Sequence, residues 1–258
     1  MATQLYIKSE YSLLSSMCRI SETVLKCKEQ GFGALAIVDK NVLIASKEIK
    51  DECLRNGIKP IYGMEIDLYI KEKKYPVCLY AKNDEGYKNL MYLSSFVSCD
   101  INNKITPEVL IKHNSDLFIV FESDDSPLTD YIKTDDLDEK IDELISLFGS
   151  DVLFGLCDNN IQFNKINSEE LKKHLAPKNI KTLAISRTYY LNKEDAYEFE
   201  LLKCIGNGEV MKDTHIDDNR YFLTVPELKK LCQKCHRINV NKYFINLLEE
   251  VKNNPNPE

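Results

Sequence analysis

The sequence predicts an α/β protein whose strands and helices form a TIM-like, distorted (β/α)7 barrel. Short apolar runs typical of buried strands alternate about seven times with segments of helical periodicity, an order that favours a barrel. No Gly-x-Gly-x-x-Gly pattern follows the first strand, which disfavours a dinucleotide-binding sheet. A length of 258 residues with 43% hydrophobic side chains is enough to bury the core of one large barrel domain.

The first half of the chain supplies four predicted strands and four predicted helices. Residues 5–8 alternate apolar and polar side chains, the period of a half-buried strand, whereas residues 34–38 are continuously apolar, as in a strand buried on both faces. Further strands are predicted at 60–68 and 75–80. Helices are predicted at 43–55, 84–97, 107–113 and 21–30, the last capped by Ser21, with Val24, Leu25 and Cys27 inward and Gly31 at its end.

The second half continues the alternation and then loses it. Strands are predicted at 117–121, 152–157 and 182–185, and helices at 137–147, 168–175 and 193–203. From Gly206 onward the pattern loosens, with shorter helical segments at 226–231 and 244–248. We therefore expect a barrel domain over residues 4–231, followed by a tail or the start of a linker over residues 232–258.

Charge and cysteine content exclude several classes of protein. The net charge of −7 argues against a general clamp for the phosphate backbone of nucleic acids. Ten carboxylates and two lysines between Glu122 and Glu143 give that segment a local charge of −8, interpreted as a solvated loop and helix face. Nine scattered cysteines, no signal-peptide layout and no long apolar run predict a cytoplasmic protein with reduced thiols and no membrane contact.

The most informative stretch is residues 5–14 (LYIKSEYSLL), a predicted strand that runs into a polar cluster. In barrels of alternating strands and helices, chemistry is housed at the C-terminal ends of the strands. The stretch resembles the opening motif of PHP domains, and in particular of the PHP domain that begins the alpha subunit of bacterial DNA polymerase III. In that family the motif usually is His-x-His-Ser-x-Tyr-Ser-Leu-Leu, and both histidines bind metal. Here these two positions hold Tyr6 and Lys8.

The resemblance continues at the other ligand positions of the family. Residues 38–41 stand where the family has Thr-Asp-His-Gly, and residues 57–65 match Gly-Ile-Lys-Pro-Ile-Ile-Gly-Cys-Glu. Residues 184–191 correspond to Ala-Thr-Asn-Asp-x-His-Tyr-Leu, and two further ligand positions fall near a serine and an asparagine. The positions of the degenerate metal pocket are then Tyr6, Lys8, Asp39, Lys40, Glu65, Ser123, Asn159, Arg187 and Tyr189.

The resemblance implies a pocket that holds up to three divalent metals of the zinc or manganese type, which activate water and clamp a phosphate ester. Of the matched positions only Asp39 and Glu65 keep a ligand side chain, so we expect no metal, no other cofactor and no catalytic residue in this domain. We predict instead that Lys8, Lys40 and Arg187 neutralise the two carboxylates in a charge-assisted hydrogen-bond network. The alternative is that each cation reaches solvent at the barrel rim.

Matches without ligands point to the polymerase subfamily. Residues 81–90, 194–196, 201–205 and 221–223 match its version in order, and the resemblance covers residues 4–231, whereas polymerase palm motifs are absent. The resemblance implies the structural N-terminal domain of a replicative DNA polymerase, a nucleotidyltransferase. It implies as partners the remainder of the alpha subunit, a proofreading exonuclease, and DNA through the full-length protein.

Two other classes of function stay open. One is a metal-dependent phosphoesterase or 3′–5′ exonuclease that uses a reduced site around Asp39 and Glu65. The other is a free-standing binding protein. Whether the domain alone is an enzyme is therefore open, although the parent subunit implied by the resemblance is one.

Overall fold

A computed structural model describes residues 2–132, 134–157, 162–180, 182–211, 216 and 218–234. The strands are β1 (Thr3–Ile7), β2 (Ala34–Ile37), β3 (Lys59–Ile70), β4 (Lys73–Ala81), β5 (Leu117–Glu122), β6 (Val152–Cys157) and β7 (Thr182–Ile185). The helices are α1 (Ile20–Glu29), α2 (Ser46–Asn56), α3 (Asp84–Cys99), α4 (Pro107–Lys112), α5 (Leu137–Phe148), α6 (Gln162–Leu175), α7 (Ala196–Asn207) and α8 (Val225–Lys234), with a short 3-10 helix at Lys193–Asp195.

The seven strands lie side by side in chain order and close into a barrel. Neighbouring strands are parallel except at β4, which pairs antiparallel with both β3 and β5. Closure comes just after β7, where Lys8 N donates to Thr188 O at 3.1 Å and Thr188 N donates to Tyr6 O at 3.0 Å. The antiparallel hairpin of β3 and β4 replaces one strand–helix repeat, so the predicted distorted TIM-like barrel is confirmed.

Alternation along each strand divides the core into two layers. On β2, Ala34 and Ala36 face a cluster made of residues from the strands and their ends, which is the barrel interior. Leu35 and Ile37 face the cluster that also holds residues of the surrounding helices. On this strand the small side chains point to the barrel interior, and the larger ones point to the helix layer around it.

Two helix predictions on α1 are wrong in detail. Ser21 lies inside the helix, whose N-cap is Arg19, and the first free amide belongs to Ile20. That amide donates to Glu10 Oε2 at 3.0 Å, so a carboxylate from the preceding loop satisfies this helix end. Leu25, predicted inward, is 48% exposed, while Val24 and Cys27 are buried as predicted.

The other elements follow the predictions within a few residues, except that α6 begins six residues before its predicted start at Ser168. Helix α2 ends at Gly57, whose φ of 68° is the left-handed conformation expected of the Asn-Gly stop. The expected boundary after residue 231 falls inside α8, and the predicted segment 244–248 lies outside the described residues. None of the described helices is long and apolar enough to cross a membrane.

Candidate functional site

Charged and hydroxyl side chains converge at the mouth of the barrel, inside the ring of strand ends. Strand periodicity places them there, because every second residue of a strand points to the interior. On β5, for example, Glu122 follows Phe118 and Val120 on the inward face. The members of this mouth cluster are Tyr6, Lys8, Glu65, Cys78, Glu122, Arg187 and Tyr189.

Lys8 and Glu65 form a buried ion pair. Lys8 Nζ lies 3.1 Å from Glu65 Oε1, and the two side chains are 5% and 9% exposed. The same ammonium donates to Val38 O at 2.6 Å, and the Tyr6 hydroxyl donates to Glu65 Oε2. Burial and the adjacent Glu65 raise the pKa of Tyr6 well above its usual value, which keeps this hydroxyl protonated. Both oxygens of Glu65 therefore accept from donors of the protein itself.

Arg187 makes the second pair, with a partner that the sequence did not indicate. Its Nε donates to Glu122 Oε2 at 2.8 Å, and a terminal nitrogen lies 3.7 Å from Asp125 Oδ2. The guanidinium also lies 5.7 Å from the centre of the Tyr6 ring. Arg187 was predicted to neutralise Asp39 and Glu65, and this part of the hypothesis is wrong: among the described residues, its ion pairs are with Glu122 and Asp125, at and beyond the end of β5.

Cys78 on β4 stands between the two ion pairs. It is the register partner of Glu65 on one side and of Val120 on the other, and its Sγ lies 3.7 Å from Glu122 Oε1. Burial and the nearby Glu122 raise the pKa of the thiol well above its usual value. In these surroundings the thiol is therefore protonated and can donate to Glu122.

Asp39 keeps its family position but is held by hydroxyl groups and not by cations. Its Oδ1 accepts from the backbone N of Ser9 at 2.8 Å and from Ser12 Oγ at 2.6 Å, and its Oδ2 accepts from Ser9 Oγ at 2.6 Å. Both serines come from the polar cluster that follows β1. Three donors to one buried carboxylate stabilise its charge without a counter-ion.

Lys40 does not join the network, and its predicted role is wrong. Its backbone forms a bridge with Glu65, but its ammonium lies 3.0 Å from Asp67 Oδ1 at the rim, and its side chain is 45% exposed. Lys74 lies 3.4 Å from the other oxygen of Asp67. For this residue the alternative was right: the cation reaches solvent.

The remaining predicted positions divide between the mouth and its flank. Tyr189 OH lies 3.4 Å from Tyr6 OH, inside the mouth. Ser123 Oγ lies 2.9 Å from Ser168 Oγ, which joins the end of β5 to α6. The neighbouring Asp124 is buried and accepts from Asn167 at 3.4 Å. Asn159 lies outside the described residues.

Sequence reasoning missed Glu122 and Cys78, and it placed Glu122 in a solvated acidic face. Neither residue has a counterpart in the family motifs described above. Alternation along β5 was the available signal, because it puts Glu122 on the same face as Phe118 and Val120. Gly155 on β6 makes room for that carboxylate: a Cβ there would stand 3.2 Å from Glu122 Cγ and 2.8 Å from Ile185 Cγ1.

The residues at the mouth do not fit the divalent metals that the fold family implies. Glu65 accepts from Lys8 and Tyr6, Asp39 accepts from two serines, and Glu122 is paired with Arg187. Lys8 and Arg187, fixed beside two of these carboxylates, would repel a divalent cation bound there. Across the part of the chain that the structure describes, no three His, Cys, Asp or Glu side chains converge with the spacing of a metal site.

A barrel of this kind, with these positions at its mouth, defines a class of protein related to the PHP domains. The sequence profile of the PHP domain family matches residues 4–156, more than half of the chain. The chain belongs to the PHP domain family.

Within that family the chain is similar to polymerase subunits. It is 28% identical over 256 residues to the DNA polymerase III subunit alpha of Halalkalibacterium halodurans, covering 91% of this chain and 23% of that protein. It is 25% identical over 249 residues to the same subunit of Borreliella burgdorferi, covering 89% and 22%. The chain thus spans about a quarter or less of these relatives and is homologous to their PHP region.

A solved structure shows the same fold at low sequence identity. An amidohydrolase from Chromobacterium violaceum superposes with a TM-score of 0.54 at 10% identity, over 73% of this chain and 88% of that one. At this identity the likeness concerns the barrel alone.

Proposed function

We propose that this chain is the PHP domain of a DNA polymerase III alpha-type subunit, in which the barrel mouth is a metal-free structural core. The domain supports the polymerase and does not hydrolyse phosphate esters. Template-directed DNA synthesis belongs to the longer subunit, and the domain contacts DNA only as part of that subunit. The proposed location is the cytoplasm, where bacterial replication takes place.

The observation that carries this proposal is the position of the Lys8 ammonium. It lies between Glu65 Oε1 and Val38 O, inside the barrel and shielded from water. A positive charge fixed against a carboxylate supplies the neutralisation that a bound metal supplies elsewhere, but it cannot activate a water molecule. Arg187 does the same for Glu122. The mouth thus keeps its electrostatic balance and lacks a Lewis acid.

The relatives support the wider part of the proposal. The similar curated proteins are polymerase alpha subunits, and each is several times longer than this chain. The remainder of such a subunit is therefore the proposed main partner. A proofreading exonuclease is a second proposed partner, for which the support is the family resemblance alone.

Metal analysis together with a nuclease assay tests the proposal. Purified protein should contain less than one equivalent of zinc, manganese or iron, and should not release nucleotides from single-stranded DNA when these metals or magnesium are added. Metal-dependent release that is lost in Asp39→Asn would overturn the proposal in favour of a phosphoesterase or exonuclease. Metal-dependent release that survives in Asp39→Asn but is lost in Glu65→Gln would overturn the proposal equally, and release that survives in both variants would point to a contaminating nuclease.

Chelation provides an independent test through stability. A protein that binds a metal only when folded loses stability when the metal is removed. We expect the same thermal midpoint with and without EDTA, because Lys8 and Arg187 remain in place. A fall in the midpoint that is reversed by added zinc or manganese would contradict a metal-free core.

A further inference from the structure

The second half of α7 is apolar in sequence but buries none of its side chains. Helix α7 buries Ala196 and Phe199 in its first turn, and none of the described residues from Glu200 to its end is buried. Yet Leu201, Leu202, Cys204 and Ile205 follow one another within five positions and point to several sides of the helix. A helix that is apolar on most of its circumference is normally covered by protein.

A second apolar segment lies against this half-helix. Leu13 and Leu14, in the loop after β1, are 81% and 50% exposed. Leu14 touches the end of α7: a Cβ on Gly206 would stand 3.2 Å from both Leu14 Cβ and Leu14 O. On α7 itself, Leu201 and Ile205 are four positions apart and hence share one side, and they are 43% and 61% exposed. We call Leu13, Leu14, Leu201 and Ile205 the apolar docking surface.

We infer that the apolar docking surface binds the polymerase part of the alpha-type subunit, through an apolar segment of that part. This inference rests on the proposed function and names the place where the domain meets its main partner. Single exposed apolar residues are ordinary on a protein surface, whereas a contiguous group of them favours an interaction site.

Two observations favour the polymerase as the occupant. The relatives carry more than three quarters of their length beyond the region that this chain matches, so in each of them a large mass of protein accompanies the domain. The surface is also built from two of the stretches that resemble the polymerase version of the domain, 5–14 and 201–205. The leucines and the isoleucine of these two stretches are exposed and do not belong to the barrel core.

Footprinting tests the inference. Side-chain labelling by hydroxyl radicals, read by mass spectrometry, is compared between the 258-residue chain alone and the chain together with its polymerase. If one gene encodes the domain and the polymerase together, the second sample is that full-length protein. If two genes encode them, the second sample is a mixture of the two proteins from the same organism. Labelling of the apolar docking surface should fall several-fold in the polymerase, while Ile44 and Leu54, both 64% exposed on other elements, should stay labelled. Equal labelling of the surface in both samples would overturn the inference.

A pair of matched variants separates docking from general surface effects. Leu201→Glu with Ile205→Glu should return the labelling of Leu13 and Leu14 in the polymerase to the level of the isolated chain. Ile44→Glu with Leu54→Glu should leave their protection unchanged. Both double variants should keep the thermal midpoint of the parent, because all four side chains are exposed. Protection of Leu13 and Leu14 that survives Leu201→Glu with Ile205→Glu would overturn the inference.

Other occupants give distinct results, and each would overturn the assignment to the polymerase. A dimer of the isolated chain in sedimentation, lost in Leu201→Glu with Ile205→Glu, would assign the surface to a second copy. Stronger labelling of the apolar docking surface in the isolated chain after removal of residues 235–258 would assign the surface to those residues. The metal and nuclease tests do not involve this surface, so failure of the proposed function and failure of the docking inference are separately visible.

Discussion

Lys8 and Lys40 stand at two former histidine positions of the same pocket, and the structure treats them in opposite ways. Lys8 is buried against Glu65 at 3.1 Å, whereas Lys40 lies at the rim with Asp67 at 3.0 Å and its side chain is 45% exposed. The distances are alike, so the difference is burial. The comparison shows that the barrel encloses one of the two cations with a carboxylate and leaves the other at its rim.

Burial changes how much each ion pair contributes to the free energy of unfolding. Removal of one partner from a buried pair leaves an uncompensated charge in a medium of low polarity, which is costly. At an exposed pair, water takes the place of the lost partner, and the loss is small. Four predictions test this contrast, in order of decreasing effect.

The largest effect is expected for Lys8→Met, which keeps the aliphatic stem and removes the ammonium. Glu65 then loses its counter-ion and Val38 O loses a donor, and the free energy of unfolding should fall by about 3–5 kcal/mol. Urea unfolding at neutral pH measures it. The double variant Lys8→Met with Glu65→Gln is the control, because it removes both charges and should recover much of the loss. A loss below about 1 kcal/mol in the single variant would contradict a buried pair.

A smaller loss is expected for Arg187→Leu. Its pair with Glu122 is buried, but the Arg187 side chain is slightly more exposed than that of Lys8, and we expect a loss of about 1.5–3 kcal/mol. Arg187→Lys should restore only part of it, since an ammonium cannot reproduce the forked geometry of a guanidinium. The same urea unfolding reports both variants. Full stability in Arg187→Leu would show that Glu122 finds another partner.

Asp124 should make stability depend on pH. Burial raises the pKa of its carboxyl group to about 6, against the attraction of Arg187, which lowers it. The folded protein then holds this proton more tightly than the unfolded chain, so this contribution to stability falls as pH rises from about 4 to about 6. Asp124→Asn should therefore stabilise the protein at pH 7 by about 1–2 kcal/mol and have little effect near pH 4. Unfolding at both pH values measures it; an equal change at the two would contradict the prediction.

The smallest effect is expected for Lys40→Met. Its ammonium is solvated and Asp67 keeps Lys74 as a neighbour, so the loss should stay below about 0.5 kcal/mol. The variant is the matched control for Lys8→Met, because both remove an ammonium and keep a stem of similar length. A loss comparable to that of Lys8→Met would mean that the rim pair is as enclosed as the inner one.

Much of the fold and part of the site followed from the sequence. The apolar run of β2 predicted a strand enclosed on both sides, and those of β5 and β7 predicted strands. The family motifs located Tyr6, Lys8, Glu65 and Tyr189, which the structure brings together. Strand and helix periodicity is a local property, so it is readable along the chain. Pairing of side chains is not, because it joins positions far apart: Arg187 and Glu122 are 65 residues from each other.

The barrel, the resemblance to PHP domains and the residue types at the matched positions could be derived from the amino-acid sequence, because periodicity, residue type and spacing are local properties. Three features became visible only in the folded chain: which cations are buried, the pairing of Arg187 with Glu122, and the hydrogen bonds from the hydroxyl groups of Ser9 and Ser12 to Asp39. The folded chain also shows that Leu13 and Ile205 lie outside the core. These outcomes depend on distances and enclosure across the closed barrel, which no single stretch of the chain specifies.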